Sequence, residues 1–212
     1  MFQYQYLWPP RPRKQIPLNL LTYYEQQGWI AQLKKNGTCT VLYLTPDKKV
    51  IAKTRHKTDH KLWTPGQELT DQLALLPGKD WYVFVGELLH SKTKEIKDTL
   101  YLFDLLVDEG LYLAGHTLTN RLRRLHSLFP RRAKSIRSGH YVVSPKLWVA
   151  ETIKSNFEKV FLSLSAPEDE GLVLKDPQAK LNWCVSQHAN CATQVKCRRA
   201  AKTAGYGQCK GS

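Results

Sequence analysis

Apolar positions along this chain change period several times, and each change marks an element. Leu18, Leu20, Leu21 and Tyr24 fall at helical spacing and Gly28 stands where a helix would stop, which predicts a short helix. From Trp29 the run tightens: Trp29, Ile30, Ala31 and Leu33 lead to Lys34, Asn36-Gly37 follows, and 41–44 is apolar again. Two strand-like runs around Asn-Gly predict a hairpin of strands 29–34 and 38–44. Pro46-Asp47 marks a turn, 50–53 a partner strand, 54–63 a polar basic loop, and 68–76 a helix closed by Pro77-Gly78. Residues 81–89 and 100–107, rich in aromatic and aliphatic side chains, read as two strands. Leu118, Leu122, Leu125 and Phe129 form one stripe of an amphipathic helix over 117–129. Residues 141–145 read as a strand, and 148–164 as largely helical with Phe157, Val160 and Phe161 inward. A strand bracketed by Glu170 and Lys175 follows an acid-rich turn. Alternation over 194–199 then puts Lys196 and Arg198 on one strand face and Val195 and Cys197 on the other.

These elements suit one domain over 17–199, with an extended basic and aromatic arm at 1–16 and a basic tail at 200–212. In the arm, Trp8-Pro9-Pro10-Arg11-Pro12-Arg13-Lys14 opposes helix and ladder alike. It reads as a strap over the core, a nucleic-acid contact, or both. The 212 residues, 42% hydrophobic, suffice for one core, and neither an internal repeat nor a second core is evident.

Charge narrows the partners. Lys+Arg 32 against Asp+Glu 18 leaves +14, which favours a polyanion through phosphate neutralisation and counterion release. No basic amphipathic helix with a clean apolar face is evident, so nucleic acid is preferred to a membrane surface. No apolar run is long enough to span a bilayer, and the first ten residues lack signal-peptide order, so a cytoplasmic location is expected, and a monomer is the expected state. Five cysteines, an odd number, argue against a disulfide framework. Cys184, His188, Cys191 and Cys197 could hold zinc by spacing, but lack a Cys-x-x-Cys knuckle. Unrelated loop residues with a buried Cys197 are the preferred reading.

Candidate chemistry centres on Lys34 and on two acids. An amine at a strand end, with space beside it from Asn36-Gly37, is mounted as a nucleophile must be. Glu87 and Asp104 each interrupt an apolar strand, where a carboxylate is costly unless paired, hydrogen-bonded or metal-bound. Two such acids on two candidate strands point to a site. Arg55, in the basic loop, is a candidate phosphate or ribose contact.

In chain order the sequence reads Lys34-x-Asn36-Gly37, Gly86-Glu87, Phe103-Asp104, Glu170-Gly-Leu-Val-Leu-Lys175 and Lys196-x-Arg198. This series, from about Gln32 to Arg198, resembles the motifs of the covalent nucleotidyltransferase superfamily: ATP-dependent RNA and DNA ligases and capping guanylyltransferases. The resemblance implies an α+β fold, an ATP-grasp-like ligase adenylation domain with antiparallel β-sheets forming a nucleotide cleft and helices outside. It implies that Lys34 takes AMP from ATP as a phosphoramidate. Gln32 would contact adenine, where many ligases have Glu, and Asn36 and Gly37 would shape the turn beside ribose and phosphate. Glu87 would meet the ribose, Phe103 would stack on adenine, and Glu170 and Asp104 would hold Mg²⁺ or Mn²⁺. Lys175, Lys196 and Arg198 would surround the phosphates. Phosphoryl transfer is mainly positioning plus charge neutralisation, which such a set supplies.

Departures refine the expectation. Cys39 stands where DNA ligases usually carry Arg, which RNA ligases commonly lack. Too few residues follow Arg198 for the oligonucleotide-binding barrel of DNA ligases and capping enzymes, so a stand-alone catalytic domain nearer RNA ligases is expected. Arg198 replaces the usual Lys. The favoured function is an ATP-dependent RNA ligase, bacterial, archaeal or virus-encoded, joining 5′-phosphate and 3′-hydroxyl ends. The alternatives are a nick-sealing DNA ligase, a GTP-dependent capping-type guanylyltransferase, and a non-catalytic nucleic-acid-binding module.

Overall fold

The computed structural model describes residues 5–130, 139–183 and 191–199. Along the chain run β1 (Lys14–Gln15), a 3₁₀ turn at Leu18–Leu20, α1 (Leu21–Gln26), β2 (Ile30–Lys35), β3 (Thr38–Leu44) and β4 (Val50–Thr54). They are followed by α2 (Gln67–Ala74), β5 (Tyr82–Leu89), β6 (Thr99–Asp108), β7 (Leu111–Tyr112) and α3 (Leu118–Leu128). The chain ends its described part with β8 (His140–Ser144), β9 (Leu147–Ala150), α4 (Phe157–Ser163), β10 (Asp169–Lys175) and β11 (Gln194–Arg198).

The strands make two sheets. One has the order β1-β11-β10-β2; the other runs β4-β3-β5-β6-β9-β8, with β7 on β6. Pairing is antiparallel except at β1–β11 and β6–β9. The α+β architecture inferred from the motifs is therefore the one observed.

Period-two alternation gives each sheet a packed face. Ala31, Leu33, Leu172, Leu174, Val195 and Cys197 turn one way from the four-stranded sheet and meet Leu21 of α1 and Phe157 and Phe161 of α4. Leu42, Leu44, Phe84, Leu88, Leu100 and Leu102 of the larger sheet bury against Leu69 and Leu73 of α2 and Leu118, Leu122 and Leu125 of α3. Each buried Leu or Phe among these contributes about 1.5–3 kcal/mol of transfer free energy. The helix stripe read from the sequence is thus the buried one, and Thr117 caps that helix by accepting the Asn120 N–H at 3.3 Å.

Two sequence expectations need correction. Trp29–Lys34 and Thr38–Leu44 do not form a hairpin: β2 pairs with β10, and β3 with β4 and β5. The Asn36-Gly37 step carries the chain from one sheet to the other. A type I′ hairpin turn needs positive φ at both central residues, and neither Asn36 nor Gly37 has it. The Asn36 N–H instead donates to Glu168 O at 2.8 Å. The second correction concerns 148–164, which is not mostly helix. Its start is β9, where Leu147 and Val149 are buried, and α4 begins only after Asn156, held at φ 59°. The Glu25 carboxylate accepts the N–H groups of Asn156 and Phe157 at 2.9 Å each, satisfying donors at the helix start.

The arm packs on the remaining face of the larger sheet. Leu7, with Tyr6 and Trp8, covers Val41, Tyr43, Val83, Val85 and Leu106 in a third apolar cluster. Just past the last arm proline, β1 does join a ladder, in parallel beside β11.

Candidate nucleotide site

The faces left open by this packing look at each other across a cleft of about 480 Å³, within the roughly 300–1,000 Å³ usual for small-molecule sites. Alternation on the four-stranded sheet sends Gln32 and Lys34 of β2, Lys175 of β10, and Gln194, Lys196 and Arg198 of β11 into it. From the larger sheet come Cys39, Glu87, Tyr101 and Phe103, the first three in direct register across β3, β5 and β6. Ten of the twelve residues picked from the sequence line this space: Gln32, Lys34, Gly37, Arg55, Glu87, Phe103, Glu170, Lys175, Lys196 and Arg198.

Lys34 Nζ is ion-paired with Glu170, whose Oε2 also lies 3.5 Å from Arg198 Nη2. The backbone explains this meeting. Along β10, Asp169 pairs with Lys35 and Gly171 with Lys34, so Glu170 is the extra residue of a bulge. Gly171 sits at φ +146°, and a Cβ there would lie 2.0 Å from Cys197 O, so only glycine lets β11 run so close. Gly37 has a similar duty: its Cβ would fall 2.4 Å from Leu88 O and 2.7 Å from Glu87 Cγ. The Lys34 strand and the Glu87 strand can approach only because that side chain is missing. Lys92 Nζ, from the β5–β6 loop, donates to Gly37 O at 2.5 Å and braces the same step.

Burial and charge set the protonation of the lining. Burial pushes the Glu87 carboxyl up to about 7; the Glu170 charge adds to this, while Lys34, Lys92 and the Gly37 N–H oppose it. Burial lowers the Lys175 amine to about 8, helped by Arg121 and opposed by Asp104 and Cys39. That amine lies 4.8 Å from the centroid of the Phe103 ring, a cation–π contact. Lys196 is lowered by burial, then by Arg198 and Lys34, with Glu170 opposing. The Cys39 thiol is pushed up to about 12 by burial and by Glu87, so it stays neutral and is no nucleophile. Gln32 is 1% exposed, and neither polar atom of its amide has a partner among the described residues. A buried amide with its donor and acceptor both unmet is costly, and a ligand edge with complementary groups would satisfy it.

Two residues read from the sequence are placed otherwise. Asn36 does not line the cleft; its backbone ties the sheet crossing. Asp104 is corrected outright. It follows Phe103, so it turns to the opposite face, where it is 1% exposed. It accepts from Arg121 Nε and Nη2, each at 2.9 Å, and from the Leu105 N–H at 2.9 Å. Its oxygens are spent on α3, and it is no metal ligand for the cleft. Among the described residues no group of three or more His, Cys, Asp or Glu could cage a metal ion. Cys184 and His188 of the zinc reading, and the basic run Arg131, Arg132, Lys134 and Arg137, lie outside the described residues.

Sequence reasoning missed Arg11, Lys92 and Gln194, which also line the cleft. Gln194 was recoverable, because it shares strand parity with Lys196. Arg11 and Lys92 reach the site from an arm and a loop, where no periodicity points to a face.

No protein-family model matches this sequence, and no curated protein does. Solved structures do match. The ligase domain of M. tuberculosis LigD superposes with a TM-score of 0.64 at 18% identity, covering 92% of this chain and 60% of that one. A mycobacterial DNA ligase D complexed with ATP gives 0.57 at 18%, covering 81% of this chain and 54% of that one. A structure from the Lig E DNA ligases gives 0.50 at 15%, covering 90% and 68%. At such identities the likeness establishes the fold: this chain has the nucleotidyltransferase fold of ATP-dependent ligases. It spans about 60% of the LigD ligase domain, the first of these.

Proposed function

We propose that this chain is the catalytic module of an ATP-dependent polynucleotide ligase working through a lysyl-AMP intermediate. One observation carries the reading. A strand-mounted amine, Lys34, lies in a cleft with Glu170, Lys196 and Arg198, and the Gln32 amide, unpartnered among the described residues, lines the same sheet face two residues away. That is a nucleophile, a phosphate clamp and a base-edge reader in a row.

The chemistry follows from the groups. Lys34 must leave Glu170 and lose a proton before its nitrogen can attack the α-phosphorus of ATP. The N–P bond forms, the α–β bridging P–O bond breaks, and pyrophosphate leaves with the electron pair. Lys196 and Arg198 neutralise charge on the phosphates, and Lys175 becomes a full cation when one binds. The Gln32 carboxamide can both accept from the adenine amino group and donate to a ring nitrogen. Glu87, poised near neutrality, suits a ribose hydroxyl, since its protonated form can donate and its ionised form accept. Phe103 offers a ring for the base. AMP then passes to a 5′-phosphate, and a 3′-hydroxyl displaces it to make the phosphodiester.

Mg²⁺ or Mn²⁺ fits the donor set: magnesium takes one or two carboxylates plus substrate oxygens, and Glu170 is a partly exposed carboxylate beside the nucleophile. When bound there, it would supply charge neutralisation at the α-phosphate.

RNA ends are the proposed substrate, because Cys39 occupies the place where DNA ligases usually carry Arg. Nick sealing in DNA is the second reading, favoured by the DNA ligases among the matched folds. Incubation with α-labelled ATP and Mg²⁺ should label the wild type and leave Lys34→Ala bare. Label from GTP in preference to ATP, or equal label on both proteins, defeats the proposal. End-labelled RNA and DNA, nicked and single-stranded, then separates the two substrate readings.

A further inference from the structure

The cleft has a wall that the motif series does not contain. Pro10, Arg11 and Pro12 of the arm line it directly. The arm is pinned on both sides of that stretch. Upstream, Leu7 is 1% exposed, Tyr6 Oη donates to Arg55 O at 2.9 Å, and the Lys57 ammonium stands 4.6 Å and 5.3 Å from the Tyr6 and Trp8 ring centres. Downstream, Lys14 and Gln15 pair with Val195 and Lys196, and the Ile16 N–H donates to Lys196 O at 2.9 Å. Between these anchors three prolines fix φ, so Arg11 is presented with little freedom left to lose.

What Arg11 presents is incomplete. Its Nε is buried and has no hydrogen-bond partner among the described residues. A buried N–H on a charged group costs more than a neutral one when left unmet. The cleft it lines also holds Lys34, Arg55, Lys92, Lys175, Lys196 and Arg198, against the acids Glu87 and Glu170. Its charge reaches Lys196 and Cys39. Cations outnumber acids in this lining, which favours an anionic ligand, and a guanidinium fork matches phosphate oxygens.

We propose that Arg11 is a phosphate-binding residue of the nucleotide site, holding oxygens of the β- and γ-phosphates, so that the N-terminal arm is a working wall of the catalytic cleft. The inference rests on the ligase reading. In that reading Lys34, Lys196 and Arg198 serve the α-phosphate, and Arg11 is the added cation from outside that group. As the nitrogen of Lys34 bonds to the α-phosphorus, the electron pair of the breaking P–O bond goes to pyrophosphate, and the surplus nitrogen proton goes to water. Arg11 gives and takes no proton; it steadies the charge on the departing pyrophosphate.

Binding of ATP and of AMP, measured by calorimetry in a Lys34→Ala background where no transfer occurs, tests this. Adding Arg11→Gln should weaken ATP about tenfold or more, the value of one charge-assisted contact, and AMP less than twofold. Arg11→Lys should recover part of the loss, and Arg13→Gln, at an exposed arm position, should change neither. Pyrophosphate-driven release of AMP from the otherwise wild-type lysyl-AMP should slow in Arg11→Gln. Equal weakening of ATP and AMP would mean the arm had merely lost its seat, and overturns the proposal, as does no change in either. A defect confined to sealing a pre-adenylylated 5′ end overturns it too, by making Arg11 a nucleic-acid contact. Label on Lys34 is read separately. A wild type that binds ATP in an Arg11-dependent way yet takes no label would sink the ligase reading and leave the Arg11 assignment standing.

Discussion

Glu87 and Asp104 occupy paired neighbouring strands, and each is the lone acid within a long apolar run. Their surroundings diverge completely. Asp104 faces α3 and is locked by Arg121 through two 2.9 Å bonds. Glu87 faces the cleft, in register with Cys39 and Tyr101, and burial outweighs the opposing charges of Lys34 and Lys92 and lifts it to about 7. The difference is one of face. β6 carries Phe103 into the cleft, so the next residue must leave it. A carboxylate with a dedicated partner is a structural post. One without is available to a ligand, and the measurable consequences separate the two.

The largest effect is expected at the post. Asp104→Ala leaves the Arg121 guanidinium, 3% exposed, buried without its partner. Breaking one side of a buried pair costs about 3–5 kcal/mol. Urea unfolding should show that loss, and Asp104→Leu combined with Arg121→Met should restore most of it. A cost under about 1 kcal/mol would mean that Asp104 is no more structural than Glu87, and the contrast would collapse.

Glu87 should behave in the opposite manner. Its carboxyl stands at about 7 in the fold against an ordinary 4.5. Between those values the folded chain keeps a proton that the unfolded chain has released. Stability from this group therefore falls as pH rises from about 4.5 to 7, by roughly 3 kcal/mol, and is level above that. Glu87→Gln should remove that slope and be the more stable protein at pH 8. Denaturation at pH 5 and pH 8 of both proteins checks it; identical slopes would show that Glu87 is paired after all.

The same contrast explains what could be read from the sequence. Period-two alternation on 194–199 gave the right faces because β11 is regular, and the stripe on α3 gave the right core for the same reason. Elsewhere the geometry is set by contacts distant in sequence. Asn36-Gly37 has the local signature of a hairpin, yet β10 claims β2 and β5 claims β3, and long-range pairing overrides the turn preference. The bulge that delivers Glu170 to Lys34 leaves only a glycine as its trace. Arg11 and Lys92 carry no periodic mark. The motif residues were legible because their chemistry is dense; the elements that aim them were not, since aim depends on which strands pair.

The smallest effect sharpens the contrast from the cationic side. Lys175 stands near Asp104 in the electrostatic sense and near the cleft in the chemical one: Asp104 raises its basicity, but burial prevails and holds the amine at about 8. If Asp104 were an effective partner for Lys175, that amine would remain fully charged at pH 9. Because Arg121 has taken Asp104, in the proposed function Lys175 finds its counter-charge in a bound phosphate. Its protonated fraction falls about tenfold between pH 7 and pH 9, and ATP affinity should fall by about the same factor where that charge is required. ATP binding at pH 8 should also take up protons, seen as a dependence of the calorimetric heat on buffer ionisation. Lys175→Met should bind ATP more weakly at pH 7 and lose its own share of the pH dependence. Should the wild type and Lys175→Met follow the same pH profile, the charge of Lys175 is either permanently neutralised by Asp104 or unused by the nucleotide, and the division of labour between the two faces of β6 would have to be redrawn.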